Sequence, residues 1–200
     1  QIERSLGRKP DEVFREFHEE PMAAASLAQV HSAVLRESGE EVAVKVQRPG
    51  IRQMIRNDLR IMESLAQRAH ERIEALQLYN LPRVVEEIKR LLTQELDFRR
   101  EARNIRLARS NFADDPAMYL PRVHSKISSS RMLVLERIYG TKLRDAVSSW
   151  PIKVRKDLSR KWLRATLKQI LQDGFFHADP HPGNFFIISE GQYSLLDWGM

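Results

Sequence analysis

The sequence has 200 residues, of which 42% are hydrophobic and 30% are charged. This length and composition suit one large folded domain or two small lobes around a real core. The chain has no cysteine, which excludes disulfide bonds, thiolate zinc sites and cysteine nucleophiles. It also lacks a run of 18 apolar residues, so the sequence predicts no membrane-spanning helix.

The formal net charge of +6 is modest and does not by itself indicate a nucleic-acid partner. Basic residues recur in the last quarter of the chain without the repeated aromatic residues of a nucleic-acid platform. They are Lys153, Arg155, Lys156, Arg160, Lys161 and Arg164. This pattern favours a solvated helix face. An anionic membrane surface is the second interpretation, and a nucleic acid is the third.

The first half of the chain begins with predicted strands and continues with predicted helices. Residues 21–46 contain two apolar strands joined by a turn at residues 38–40. Apolar residues then recur every three or four positions over residues 51–76, which predicts one long amphipathic helix. Pro82 favours the first turn of a second helix, which is expected to run to about residue 110.

The second half of the chain predicts strands on both sides of a helix. Residues 132–135 are apolar and typical of a buried strand. A helix is expected over residues 152–173 and is expected to end at Gly174. Two short strands follow at about residues 185–188 and 193–196. Together with the first half, this order predicts a two-lobed α+β plan.

Two short segments near the end of the chain carry the clearest chemical signal. Residues 177–184 read H-A-D-P-H-P-G-N, and residues 197–199 read D-W-G. Kinase catalytic loops follow H-R-D-L-x-x-x-N, with asparagine five positions after aspartate, and a D-F-G segment comes later. Asp179 fits the acidic residue near the attacking oxygen, while Asn184 and Asp197 fit the oxygen ligands of magnesium. The segments therefore predict phosphoryl transfer from ATP with Mg²⁺.

Two other interpretations of the first segment are open at this point. Its prolines could merely punctuate a loop, although two such motifs in this order and spacing rarely coincide. His177, Asp179 and His181 could bind zinc, but Pro180 and Pro182 prevent a regular helix that presents two histidines one turn apart. His177 is expected to be a structural hydrogen-bonding residue, and no role is predicted for His181.

A second pattern lies in the predicted hairpin. Residues 42–45 read V-A-V-K and match V-A-I-K, the strand whose lysine contacts nucleotide phosphates. A lysine that closes a buried strand is costly unless its ammonium meets an anion. Upstream, residues 23–30 match G-x-G-x-x-G-x-V with alanine at each glycine place, which predicts a stiffer loop. The residues expected to bind nucleotide here are Ala23, Ala24, Ala25, Ser26, Val30 and Lys45.

The alanine-rich segment also carries a family resemblance. Residues 21–31 read P-M-A-A-A-S-L-A-Q-V-H, which resembles the alanine-rich loop of the UbiB family of atypical kinase-like proteins. The likeness extends through residues 42–50, Q-E-L-D-F at residues 94–98, E-A-R-N at residues 101–104, residues 177–185 and residues 196–199. It covers essentially the whole chain and rests on four separate motifs. The family's K-x-G-Q motif is absent from this sequence.

The resemblance implies roles for acidic residues in the second predicted helix. Glu95 and Asp97 match the family's E-x-D motif and are expected to face the active site. Glu101 is expected to pair with Lys45, as a helix glutamate pairs with the strand lysine in kinases, and Glu95 is the second candidate. All three acids are expected on one continuous helix, with Asp97 and Glu101 one turn apart. Simple surface charge, paired with nearby arginines, is the alternative.

The strand at residues 132–135 is expected to lead into a hinge between the two lobes. Backbone groups near Glu136 and Ile138 are then expected to hydrogen-bond adenine, and Leu135 is expected to border the pocket. This expectation follows only from the order of the motifs along the chain.

These observations predict an α+β, protein-kinase-like two-lobed fold that is truncated at both ends. Residues 1–138 are expected to form the N-lobe, with a helical insertion at about residues 51–110, and residues 139–200 to begin the C-lobe. The resemblance implies an ATP- and Mg²⁺-dependent ATPase or phosphotransferase that supports biosynthesis of ubiquinone or a related isoprenoid quinone. It also implies a lipid or quinone precursor and a membrane surface as partners, with no nucleic acid.

The same resemblance implies a place at the cytoplasmic face of the membrane in a bacterium, or in a mitochondrion or plastid in a eukaryote. One alternative is a small-molecule phosphotransferase of the aminoglycoside or choline kinase type, which the A-A-A-S loop and the E-x-D motif argue against. Another is a pseudokinase that binds nucleotide without turnover, which the retained Lys45, Asp179, Asn184 and Asp197 argue against. The sequence leaves the oligomeric state open.

Overall fold

The computed structural model describes residues 2–148 and 150–199, so the expected domain limits at residues 1 and 200 lie outside the described residues. The strands are β1 (Phe14–Phe17), β2 (Ala23–Ala24), β3 (Ala28–Leu35), β4 (Glu41–Gln47), β5 (Met118–Tyr119), β6 (Met132–Glu136), β7 (Thr141–Lys142), β8 (Phe185–Ser189) and β9 (Gln192–Leu195). The α-helices are α1 (Ile2–Leu6), α2 (Pro10–Val13), α3 (Ile51–Arg72), α4 (Glu74–Gln77), α5 (Leu81–Glu95), α6 (Phe98–Asn111), α7 (Leu143–Val147) and α8 (Ile152–Lys168).

The first sheet has the strand order β1-β3-β4-β6, and every pair in it is antiparallel. The short β2 pairs with the start of β3. Side chains alternate along β4, so that Val42, Val44 and Val46 pack into one core cluster with Val13 and Phe14. Because the period of a strand is two residues, Lys45 points to the opposite face of the sheet.

Helix α6 packs on that opposite face and belongs to a second, larger core cluster. Its buried residues include Phe98, Glu101, Ala102 and Ile105, which follow the three- and four-residue spacing of one helix face. The second sheet, with the order β5-β9-β8-β7, contributes the rest of this cluster, including the fully buried Tyr193. The core cluster between the two sheets therefore lies on the same side of β4 as Lys45.

The prediction of one long helix over residues 51–76 is wrong at its C-terminal end. Helix α3 stops at Arg72, and Ile73 has an extended backbone before the short α4. The buried stripe ends earlier, because Ala66 is the last buried residue of α3 and Ile73 is 48% exposed. An apolar stripe that finds no packing partner stabilises a helix weakly in water.

The prediction of a single second helix over residues 82–110 is also wrong, because this range contains two helices. Helix α5 ends at Glu95, and α6 begins at Phe98. Asp97 separates them as the N-cap of α6, where its carboxylate accepts a hydrogen bond from the amide of Arg99. Aspartate is a preferred N-cap residue, and this local bond competes with a continuous helix. The one-turn spacing of Asp97 and Glu101 on a single helix is therefore not present.

The C-terminal elements agree with the predicted order. Helix α8 continues into a π-helical turn at Gln169–Asp173. Gly174 ends it in the left-handed conformation, with φ of +60°, which glycine adopts at little cost. Strands β8 and β9 form the expected hairpin. Within the described residues, no helix is long and apolar enough to cross a lipid bilayer.

Candidate active site

Lys45 is the centre of a buried charge cluster. Its Nζ lies 2.9 Å from both carboxylate oxygens of Glu101 and 3.1 Å from Oδ1 of Asp197. The Lys45 side chain is 14% exposed and that of Glu101 is 5% exposed, whereas Asp197 is 45% exposed. The expected contact between Lys45 and Glu101 is present, and the surface-charge interpretation of Glu101 is wrong.

Burial and mutual attraction set the ionisation of this cluster. Burial opposes the ammonium, but the carboxylates of Glu101 and Asp197 outweigh it, so the pKa of Lys45 lies above its ordinary value. Burial raises the pKa of Glu101; the charge of Lys45 lowers it, and Asp197 adds to the rise. Two carboxylates therefore share one ammonium, and this excess of negative charge suits a bound cation.

A cavity of about 230 Å³ opens beside Lys45. It is lined by Ala25, Ser26, Leu27, Ala28, Lys45, Gln94, Glu95, Asp97, Phe98, Glu101, Asp179, Asp197 and Gly199. This volume is smaller than the roughly 300–1,000 Å³ of a complete small-molecule site. The cavity therefore has room for part of a nucleotide. Its lining carries five carboxylates and one ammonium, so phosphate groups would fit there only together with a bound cation.

The residues expected to contact adenine lie outside this cavity. Neither Glu136 nor Ile138 lines it. The amide of Glu136 donates to the carbonyl of Arg122 at 2.8 Å, and its carboxylate accepts from Tyr119 Oη at 2.5 Å. The N–H of Glu136 is therefore occupied within the sheet region, and adenine binding at the hinge stays a prediction.

The alanine-rich loop is a tight turn between β2 and β3. The amide of Ala25 donates to the carbonyl of Ala28 at 3.0 Å, and Ala23 pairs with Val30 across the two strands. Arg48 fixes the turn, because its amide donates to Leu27 O and its Nη2 donates to Ala25 O, each at 3.0 Å.

The structure divides the residues that were expected to bind nucleotide here into two groups. Ala25 and Ser26 line the cavity, whereas Ala23, Ala24 and Val30 do not. Leu27 and Ala28 of the same turn also line the cavity, so the turn offers it apolar side chains and one hydroxyl.

Ala25→Gly is expected to change nucleotide affinity by loosening this turn. Ala25 is not among the residues with positive φ, so the native backbone does not require glycine, and glycine only adds flexibility. The expected stability loss is about 0.5–1 kcal/mol. Nucleotide titration should be compared with Ala24→Gly, an exposed neighbour outside the cavity. Equal affinities in both variants and the parent would show that the turn does not set nucleotide binding.

Asp179 and Asn184 are held by a compact turn. His181 donates its amide to Asp179 O, and Asn184 donates its amide to His181 O, each at 2.8 Å. The carbonyl of Asn184 accepts from Leu196 N at 2.8 Å, which ties this turn to the segment that leads into Asp197. Asp179 lines the cavity and Asn184 does not. The predicted acid thus faces the cavity. The second predicted magnesium ligand, Asn184, belongs to the same turn, where its Nδ2 lies 3.4 Å from Asp179 O.

The two histidines of this segment have structural contacts. Nδ1 of His181 accepts from the amide of Gly183 at 3.0 Å and so caps the 3₁₀ turn at Pro182–Asn184. His177 is buried, and its Nε2 lies 3.0 Å from Leu196 O. Within residues 2–148 and 150–199, no group of three histidine or acidic side chains is placed to hold a metal ion. The zinc interpretation therefore has no support in the geometry.

The D-W-G segment is anchored by its tryptophan. Trp198 is 2% exposed, stacks on Phe175 at 5.8 Å and packs edge-on against His177 at 4.7 Å. Its carbonyl accepts from Asn104 Nδ2 at 2.8 Å. Asp197 itself has φ of +62°, a conformation that aspartate tolerates better than most residues. Burial of Trp198 thus holds the carboxylate of Asp197 at Lys45.

Asn104 and Arg48 are contributors to the site whose contacts the sequence analysis did not predict. Asn104 belongs to the E-A-R-N segment and lies three residues after Glu101, on the same face of α6. That spacing could have indicated a role at the cavity. Arg48 follows β4 directly and carries no pattern of its own.

Glu95 and Asp97 both line the cavity, but they come from the end of one helix and the start of the next. Asp97 accepts from Arg99 Nε at 2.9 Å and Nη2 at 2.8 Å. Arg99 holds the pKa of Asp97 below its ordinary value, chiefly through this side-chain hydrogen bond. Glu95 is exposed. The E-x-D motif therefore adds two acids to the wall of the cavity.

The donor set fits a magnesium ion. Asp197 offers a partly exposed carboxylate that lines the cavity. Asn184 offers its amide oxygen on the adjoining turn, because its Nδ2 points to Asp179 O. Carboxylate and amide oxygens are hard ligands, which Mg²⁺ prefers together with phosphate oxygens and water. Both residues would hold the ion. The excess of negative charge around Lys45 would also favour the binding of a cation.

An antiparallel sheet whose lysine pairs with a helix glutamate, above a catalytic-type loop and a D-W-G segment, defines a protein-kinase-like α+β fold. The structure of Rv3197 from Mycobacterium tuberculosis in complex with erythromycin matches with a TM-score of 0.84 and 29% identity. This match covers 99% of the present chain and 49% of that one.

The sequence comparisons identify the family. The ABC1 atypical kinase-like domain matches residues 1–200. The chain is 39% identical to the "Probable protein kinase UbiB" of Aliivibrio fischeri and 40% identical to that of Pseudomonas fluorescens. Each alignment covers 100% of this chain and 38% of the relative. The chain therefore belongs to the ABC1 atypical kinase-like family and spans a little over a third of the length of these relatives.

Proposed function

We propose that this chain binds Mg-ATP and transfers or hydrolyses its γ-phosphoryl group. One observation carries this proposal: Lys45 is held between Glu101 and Asp197, in a cavity that Asp179 also lines. Kinase-like phosphoryl transfer depends on such a lysine–glutamate pair and on an acid near the attacking oxygen. Membership of an atypical kinase-like family supports the same class of activity.

Each residue has a defined task in this proposal. Lys45 would contact the phosphates, with Glu101 orienting its ammonium. Asp197 and Asn184 would hold the magnesium ion, which supplies charge neutralisation at the phosphates when bound. Asp179 would accept the proton of the attacking hydroxyl or orient a water molecule.

The wider role that we propose is support of ubiquinone or related isoprenoid quinone biosynthesis at a membrane surface. The names of the relatives that match the whole chain support it. A lipid or quinone precursor would be the partner. The place would be the cytoplasmic face of the membrane in a bacterium, or the mitochondrion or plastid in a eukaryote.

Asp197→Asn tests the magnesium part of the proposal. The change removes a charged ligand and one ion pair of Lys45, so Mg-ATP affinity is expected to fall by about 10- to 100-fold, the worth of one charged hydrogen bond. Calorimetric titration of the full-length protein with Mg-ATP measures it. Asp157→Asn, which removes an exposed carboxylate of α8, is the control. Parent-like affinity in a folded Asp197→Asn protein would refute the assignment.

The narrow cavity favours one second candidate, a nucleotide-binding scaffold without turnover. A volume of about 230 Å³ leaves little room for an acceptor beside the phosphates. The two candidates agree on Mg-ATP binding and differ only in turnover. Release of phosphate by the full-length protein decides between them.

A further inference from the structure

The peptide carbonyl between the two E-x-D acids lies in an unusual environment. Leu96 follows α5 directly, and the last carbonyls of a helix have no partner within the helix. Two side chains from elsewhere in the chain, Gln47 and Arg52, supply donors to this carbonyl. Gln47 ends β4, two residues after Lys45, and Arg52 lies in the first turn of α3.

The contacts form one closed network. Gln47 Nε2 donates to Leu96 O at 2.5 Å and to Ser130 O at 3.3 Å. Arg52 Nη2 donates to the same two carbonyls at 2.5 and 3.2 Å. Arg52 Nε also donates to Gln47 Oε1 at 2.9 Å. Because carbonyl oxygens only accept, they fix which end of the Gln47 amide faces them.

Gln47 is the more deeply placed member of this network. It is 1% exposed, so any loss of its partners would leave buried polar groups unpaired. Burial lowers the pKa of Arg52, and the charge of neighbouring Arg131 acts in the same direction. Arg52 nonetheless stays charged. Its hydrogen bonds in the network therefore form despite the repulsion between its charge and that of Arg131.

We propose that Gln47 and Arg52 are positioning residues that fix the E-x-D acids relative to Lys45. The network joins the strand that carries Lys45 to the peptide between Glu95 and Asp97. It also ties both to the start of α3. That Glu95 and Asp97 act in turnover is part of this proposal and rests on the proposed function. The fixing of the peptide between them can be tested without nucleotide.

The first test measures local opening in the full-length protein. Gln47→Met keeps the size of the side chain and removes all of its hydrogen bonds. Amide hydrogen exchange over residues 96–100 is expected to become at least about tenfold faster relative to the amides of β9. Leu35→Ala, which shortens a buried core side chain at the far end of β3, is the control and should show no such local acceleration. Unchanged relative exchange in Gln47→Met would overturn the proposal.

The second test asks whether the network acts through the acids. Gln47→Met is expected to lower the turnover number by about 10- to 100-fold, as small misplacements near a reacting centre do. In a background of Glu95→Gln and Asp97→Asn, the same change should lower it no further. A full additional loss in that background would overturn the positioning role. If the parent shows no turnover, the proposed function fails, and the exchange measurement alone decides whether the network fixes the junction.

Discussion

Changing Asp179 to asparagine is expected to lower ATP turnover by about 10²–10⁴-fold while Mg-ATP affinity stays close to that of the parent. Asp179 lines the cavity, but the ion-pair partners of Lys45 are Glu101 and Asp197. Removing the charge of Asp179 therefore takes away a proton acceptor and leaves the lysine cluster intact. Phosphate release and nucleotide titration on the same preparation measure the two effects.

The matched control for this change is Asp58→Asn, an exposed aspartate on α3. It should leave both turnover and affinity unchanged. An Asp179→Asn protein that binds nucleotide and turns it over at the parental rate would contradict the proposed role. It would also show that another group accepts the proton.

Replacing Lys45 with methionine is expected to lower the stability of the folded protein by about 3–5 kcal/mol at neutral pH. Methionine fills a similar volume but leaves Glu101, which is 5% exposed, without a counter-charge. Thermal and urea denaturation of the full-length protein measure the loss. The double change to Lys45→Met and Glu101→Gln should recover much of it, because the stranded charge is then absent.

The same change has a defined pH dependence. Burial already raises the pKa of Glu101 in the parent, and loss of the ammonium removes the main opposing influence. An acid whose pKa is higher in the folded state binds protons more readily when folded, so lowering the pH stabilises the fold. The loss of folding stability in Lys45→Met should therefore become smaller as the pH falls towards the ordinary pKa of glutamate. A loss of stability that becomes larger as the pH falls would contradict this explanation.

Local sequence spacing was sufficient for part of the fold and the site. The segment V-A-V-K predicts a strand that carries Lys45, and β4 is that strand. The structure adds that Lys45 lies on the face away from the valine core. The five-residue step from Asp179 to Asn184 fixes one compact turn, because a few backbone bonds close it. Such features depend on residues near one another along the chain, and propensity and period describe them well.

Helix boundaries were less predictable. Asp97 lies within a long amphipathic pattern, yet it is the N-cap of α6, and the preceding helix has already ended at Glu95. Ile73 continues an apolar stripe, yet it is 48% exposed. In both cases the pattern is compatible with a longer helix, and packing and capping decided where it stops.

By itself, the sequence determined the class of fold and the order of the motifs. Its family resemblance implied that Lys45 pairs with Glu101, with Glu95 as the second candidate, and the structure shows the contact with Glu101, 56 positions away. Only the tertiary structure showed that Asn104 binds the carbonyl of Trp198, 94 positions away, and that Gln47 binds Leu96, 49 positions away. These bonds join side chains to backbone carbonyls. Every residue has such a carbonyl, so the sequence carries no mark of which one is used, and only the packing of the elements selects it.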